Sequence, residues 1–161
     1  MKHDVKKGRQ RGIGIVEVIV ALGLISIMFV GISTVARFSV RVQRTLSMQQ
    51  RASLLAVEAL EVTKFERDAS WTTFSTKPYA TNLYPEYVGM IAQLTLIDPG
   101  AIDGIYTRTI RLSRVYRDAM GNIAVMGTED VRARHVLVTI SWTDPFTSVR
   151  STTLTAYILQ I

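Results

Sequence analysis

Glu17 is the one ionisable residue between Ile13 and Ala36, in a run that reads GIGIVEVIVALGLISIMFVGISTVAR from Gly12 to Arg37. A carboxylate in such a run costs on the order of a few kcal/mol in hydrocarbon unless it is paired, so it is a functional candidate by default. Other chemistry is thinly supplied. The two histidines, His3 and His135, have no partner at a ligand or triad spacing, and His135 reads as a sheet residue. With no cysteine there is no thiol nucleophile, thiolate metal site or disulfide framework. Asp98 and Asp103 flank a Gly-containing loop and make a calcium candidate, although loops of this composition ordinarily serve only as turns. Arg108, Arg111, Arg114, Arg117, Arg132 and Arg134 crowd two neighbouring strand signals, as a phosphate-binding face would. Asp118, Glu129 and Asp130 interleave with them, which favours an ordinary mixed surface over DNA binding. No Gly-rich phosphate loop or nucleophile elbow occurs. No enzyme activity, cofactor or metal is therefore expected.

The element that must position Glu17 is the apolar run itself. About 20 apolar residues cross a bilayer as a helix at ~1.5 Å per residue. The basic stretch before it, Lys6-Lys7-Gly8-Arg9-Gln10-Arg11, predicts an N-terminal end held in the cytoplasm and a body outside. The formal charge of +6 owes +4 to residues 1–12, with five Lys/Arg against one Asp, so the rest carries only +2. The high pI is thus mainly topogenic and does not imply a nucleic-acid partner. Two other readings of the run stay open. A cleaved secretory signal has an apolar region of about 7 to 15 residues and a small-x-small exit, which this run fits poorly. A plain membrane anchor fits its length but leaves Glu17 unexplained.

Beyond the run, residues 37–69 contain neither Pro nor Gly and are rich in helix formers. Met48, Ala52, Leu55, Ala59, Val62, Phe65 and Ala69 recur at steps of three and four, with Leu54, Val57 and Leu60 widening the stripe into the core face of an amphipathic helix. A helix from Ile13 to Asp68 would measure ~84 Å, far more than a bilayer needs. Arg37, Arg41, Arg44 and Arg51 fall on one side of it, as a solvated face or as a stripe for acidic neighbours. Residues 70–90, with Pro78, Pro85 and scattered aromatics, read as irregular. From 91 to 161 strand signals alternate with turns: Ile91 to Ile97, Tyr106 to Arg117, Ile123 to Met126, His135 to Trp142 and Val149 to Leu159. They predict an antiparallel meander with one apolar face that the helix stripe covers. At 161 residues, about 110 remain for one small extracytoplasmic domain.

The basic leader, Gly12, the apolar run, Glu17 as the fifth residue after that Gly, and Val18-Ile19-Val20-Ala21-Leu22 together resemble the class III signal of type IV pilins and type II secretion pseudopilins. The resemblance implies cleavage by a prepilin peptidase after Gly12, N-methylation of the new terminus at Ile13, and a role for Glu17 in subunit registration. Ile13 and Gly14 stand where the family usually has Phe and a small hydroxyl residue. It also implies an α+β fold of the pilin kind: leader 1–12, transmembrane and assembly helix 13–36, amphipathic helix 37–69, linking region 70–90 and sheet 91–161. The ending around Val138 to Thr155 is similar to that of some minor pilins, and the missing disulfide leans the same way. The function so implied is a structural subunit, minor pilin or pseudopilin, of a type IV pilus, type II secretion or competence filament. Its partners would be the peptidase, other pilins, an assembly platform in the cytoplasmic membrane and the bilayer. The alternative is a membrane-anchored extracytoplasmic binding domain that does not assemble.

Overall fold

The computed structural model describes residues 14–144 and 148–161. The chain is α+β, with helices α1 (Ile15–Ala69) and α2 (Trp71–Ser75) and strands β1 (Tyr84–Val88), β2 (Ile91–Thr95), β3 (Tyr106–Arg117), β4 (Ile123–Ala124), β5 (Thr128–Thr143) and β6 (Val149–Leu159). Internal contacts divide it into two units, one ending at Arg44 and one running from Thr45 to Ile161.

In the first unit the helix is unbroken through Gly23 and Gly31, and its large apolar side chains are all exposed. Ser26 and Thr34 donate their hydroxyls to the carbonyls of Leu22 and Val30, each at 2.8 Å. Both are thereby satisfied inside the helix, which is how hydroxyls are carried through an apolar environment. This is the one helix among the described residues long and apolar enough to cross a membrane, and no part of its apolar window is buried by the chain.

In the second unit α1 supplies one wall of the core. Ala52, Leu55, Ala56, Ala59, Val62, Thr63 and Glu66 are buried, and the apolar ones among them cluster with Ile110, Leu112, Val136, Val138, Ile140 and Trp142 of the sheet. The predicted stripe is corrected at its margins. Leu54, Val57 and Phe65 are 63%, 50% and 47% exposed, and Ala69 is exposed too. At 3.6 residues per turn Val57 lies nearly half a turn from the Leu55–Ala59 face, so spacing by threes and fours had admitted a second, outer row.

The main sheet has the order β4-β3-β5-β6, all antiparallel. Val136, Val138, Ile140 and Trp142 face the core, as the alternation predicts. β3 departs from its predicted pattern near its end. The β3/β5 register shifts between the Arg114–Arg134 and Tyr116–Glu129 pairs, where Val115 alone stands against residues 130–133 of β5; Val115 is 2% exposed and Tyr116, which alternation had placed inward, is only half-buried. The surplus residues belong to β5, which leaves the ladder there and rejoins β3 at Glu129. β4 covers only part of the predicted Ile123 to Met126 strand. Gly127, at φ 152°, lets the chain pass the backbone of Arg117, into whose carbonyl any Cβ would run.

Residues 70–90, expected to be irregular, hold α2 and β1. Ser70 caps α2 by accepting from the Thr73 N–H at 3.3 Å. β1 pairs with β2 in a separate two-stranded ribbon, so the Ile91 strand does not join the meander. Leu83 fastens this region to the main sheet through two 2.8 Å bonds with Ile110. Phe74 and Tyr84 are buried, and Trp71 and Tyr79 pack against the core.

Candidate functional site

Glu17 lies in the first turn of α1, exposed, with its backbone N–H donating to the Gly14 carbonyl at 2.9 Å. The first turn of a helix has unsatisfied N–H groups and the positive end of the macrodipole, so a carboxylate is locally favourable there. Its side chain has no partner among the described residues. Gly12 and Ile13, the processing residues, lie outside the described residues.

The head carries its own polar clusters. The Arg108 guanidinium, buried on the core side of β3, reaches Glu58 of α1 at 3.1 Å, and the Tyr87 hydroxyl of β1 donates to the same carboxylate at 2.8 Å. Burial alone would raise the Glu58 pKa. The bonds from Tyr87 and Arg108 outweigh it and hold the carboxyl below the usual range. Tyr87 moves the other way, raised by burial and by donating to Glu58. A second cluster is more deeply buried. Glu66, 6% exposed, pairs with Lys77 at 2.8 Å and accepts the Leu94 N–H at 3.1 Å, tying α1 to the segment after α2 and to β2.

The six arginines do not form one phosphate-binding face. Arg108 and Arg134 are buried on the core side, Arg111 donates to Asn82 at 2.7 Å, Arg114 meets Glu129 at 3.6 Å, Arg117 meets Asp130 at 2.6 Å, and Arg132 is exposed with its backbone N–H donating to Asp130 at 3.0 Å. Arg134 donates from Nη1 to the carbonyls of Val131 and Ala133 and from Nη2 to that of Ser75, and lies over the rings of Trp71 and Tyr79. Asp98 and Asp103 are likewise engaged separately: Asp98 accepts the Gly100 N–H at 2.8 Å, and Asp103 pairs with Arg51 at 3.0 Å. Among the described residues no three His, Cys, Asp or Glu side chains gather as a metal site would require.

His135 has a partner that spacing could not reveal, because the partner lies on another strand. Ser113, opposite it in the β3/β5 register, brings its Oγ to 2.9 Å from Nδ1, and the Tyr157 ring lies 5.0 Å from the imidazole. A hydroxyl beside an imidazole is two-thirds of a nucleophilic triad. The third member, a carboxylate orienting the ring, is absent among the described residues, so the pair remains a cross-strand contact.

Comparison with protein-family models, with curated proteins and with solved structures found no match. Glu17 and the contrast between the uncovered and the buried stretch of α1 are the features of this chain that point to a function. Glu58, Glu66 and Lys77 were missed by sequence reasoning. For Glu66 a signal existed: it falls four residues after Val62, on the buried stripe, where a carboxylate has to find partners.

Proposed function

We propose that this chain is a structural subunit, a minor pilin or pseudopilin, assembled into a filament through the apolar stretch of α1. One observation carries the reading: within an apolar stretch of helix that the chain does not cover, the only ionisable side chain is Glu17, in the first turn and without a partner among the described residues. Cleavage after Gly12 would place a cationic amine on Ile13, one turn from the Glu17 carboxylate. Neither group enters hydrocarbon cheaply alone. Pairing Glu17 of one subunit with the Ile13 amine of the next neutralises both and sets the axial register of neighbouring helices, which is the best-attested use of a buried ion pair. In this reading the head is not an enzyme, and the protein begins as a single-pass protein of the cytoplasmic membrane with its N-terminal end inside.

The second reading, a membrane-anchored binding domain that never assembles, is favoured by the first-turn position of Glu17, where the helix dipole alone gives a carboxylate a reason to be. Processing tests the family assignment. Co-expression with a prepilin peptidase is expected to remove Met1 to Gly12, leave Ile13 as the N-terminus by intact mass, and fail in Gly12→Val. An N-terminus near Arg37 would instead mark an ordinary secretory signal.

A further inference from the structure

We propose that the free edge of β6 is a pairing site for a second copy of this chain, joined antiparallel about Thr153. Which backbone groups of β6 point outward follows from the bonds at the ends and flanks of the sheet. The Gln160 N–H donates to the Arg132 carbonyl at 2.8 Å, one step beyond the Ala133 and Leu159 pair, so even-numbered residues of β6 bond to β5. The parity then requires even-numbered residues of β3, before the register shift at Val115, to point away from β5. They do, since Ile110 exchanges bonds with Leu83 and the Leu112 carbonyl accepts from Ala80. The Leu159 carbonyl points outward from β6 and meets Arg67 at 3.1 Å. The N–H and C=O groups of Val149, Ser151, Thr153, Thr155 and Tyr157 therefore lie along an edge with no partner among the described residues.

The two edges of the sheet are treated differently. On the β3 side the chain covers its own edge with Ala80, Leu83 and β4. β6 has 11 residues, pairs with β5 without a register shift, and contains none of the usual protections: no Pro, no Lys, no bulge. An edge left long, regular and unguarded is a template for another strand.

The sequence of β6 says which strand fits. Its only charge is Arg150, which is turned to Asp144 at 3.0 Å. With Thr153 opposite itself, Ser151 meets Thr155 of the second copy and Val149 meets Tyr157, while Arg150 meets Ala156. No like charges face each other, and hydroxyl pairs form the centre, a favourable cross-strand match. The row Thr109, Thr139, Thr153 already running across the outer face continues into the same row of the second copy. A twofold pairing uses both edges at once and closes as a dimer.

This pairing does not depend on the filament reading, because an anchored, unassembled head would show it equally. The natural chain has no cysteine, so single substitutions in the full-length protein, kept in its membranes, report one position each. With a short bis-maleimide, Thr153→Cys is expected to give a covalent dimer and Thr107→Cys, exposed on β3, is not. Ser151→Cys and Thr155→Cys chains are expected to crosslink when mixed and not alone. Adding Thr155→Pro, which removes an outward N–H and no bond to β5, should lower the Thr153→Cys yield about tenfold. Equal yields at positions 107 and 153, or a mixed pair that does not crosslink, would overturn the proposal without any variant that strains the fold.

Discussion

Glu66 and Lys77 show how much a single buried ion pair decides in this head. Removing one partner of such a pair leaves an uncompensated charge, which typically costs 3–5 kcal/mol, whereas removing both is far cheaper. Lys77→Met is expected to lower unfolding stability by roughly 3 kcal/mol, and Glu66→Leu with Lys77→Met by less than the sum of the single changes, in urea titrations of the two variants and the double. Glu58 gives the pH dependence its sign. Its folded pKa lies below the ordinary value of 4.5, so its contribution is fully present above that value and is lost as the pH falls through the folded pKa. Acid titration of the wild-type head should lose stability below about pH 4.5 more steeply than that of Glu58→Gln.

At the scale of elements, α1 is the piece without which the sheet has an uncovered face. Ala52, Leu55, Ala56, Ala59 and Val62 lie in the same cluster as the inner residues of β3 and β5. A chain beginning at Arg41 keeps all of them and is expected to fold. One beginning after Phe65 loses them, and at about 25 cal/mol per Å2 of apolar surface that removes several kcal/mol from a domain with little to spare. Circular dichroism showing the shorter chain equally folded would contradict this. Much of this was legible in the sequence, because β3 up to Ser113, β5 from Arg134 and β6 alternate, and residues 37–69 of α1 contain neither Pro nor Gly. The illegible parts have physical causes. The register shift near Val115 comes from surplus residues in the partner strand β5, which the alternation of β3 cannot signal in advance. The β1–β2 ribbon depends on a two-residue turn at Gly89 and Met90, preceded by Pro85, which read as a loop. The outer row of Leu54 and Val57 satisfies helical spacing as well as the inner row does, and only the position of the sheet separates them. Of the candidate site, Glu17 was legible because a charge in an apolar run violates the pattern around it. Ser113 beside His135 was not, because only the strand register brings them together.

For the whole molecule, the two stretches of α1 divide the work, one left without cover from the chain and one built into the head. We propose that the first serves membrane and filament, with Glu17 setting register. The measurement that tests this most directly is the amount of Glu17→Ala, against wild type, in filaments sheared from cells that carry the matching assembly system. Wild-type chains are expected in the sheared fraction with Ile13 as their N-terminus. Glu17→Ala chains are expected to be cleaved after Gly12 and inserted as usual yet missing from that fraction, with Glu17→Lys at least as deficient because two cations would then face each other. Recovery of cleaved Glu17→Ala chains in sheared filaments at the wild-type level would contradict the registration role, and wild-type chains confined to the membrane would contradict assembly itself.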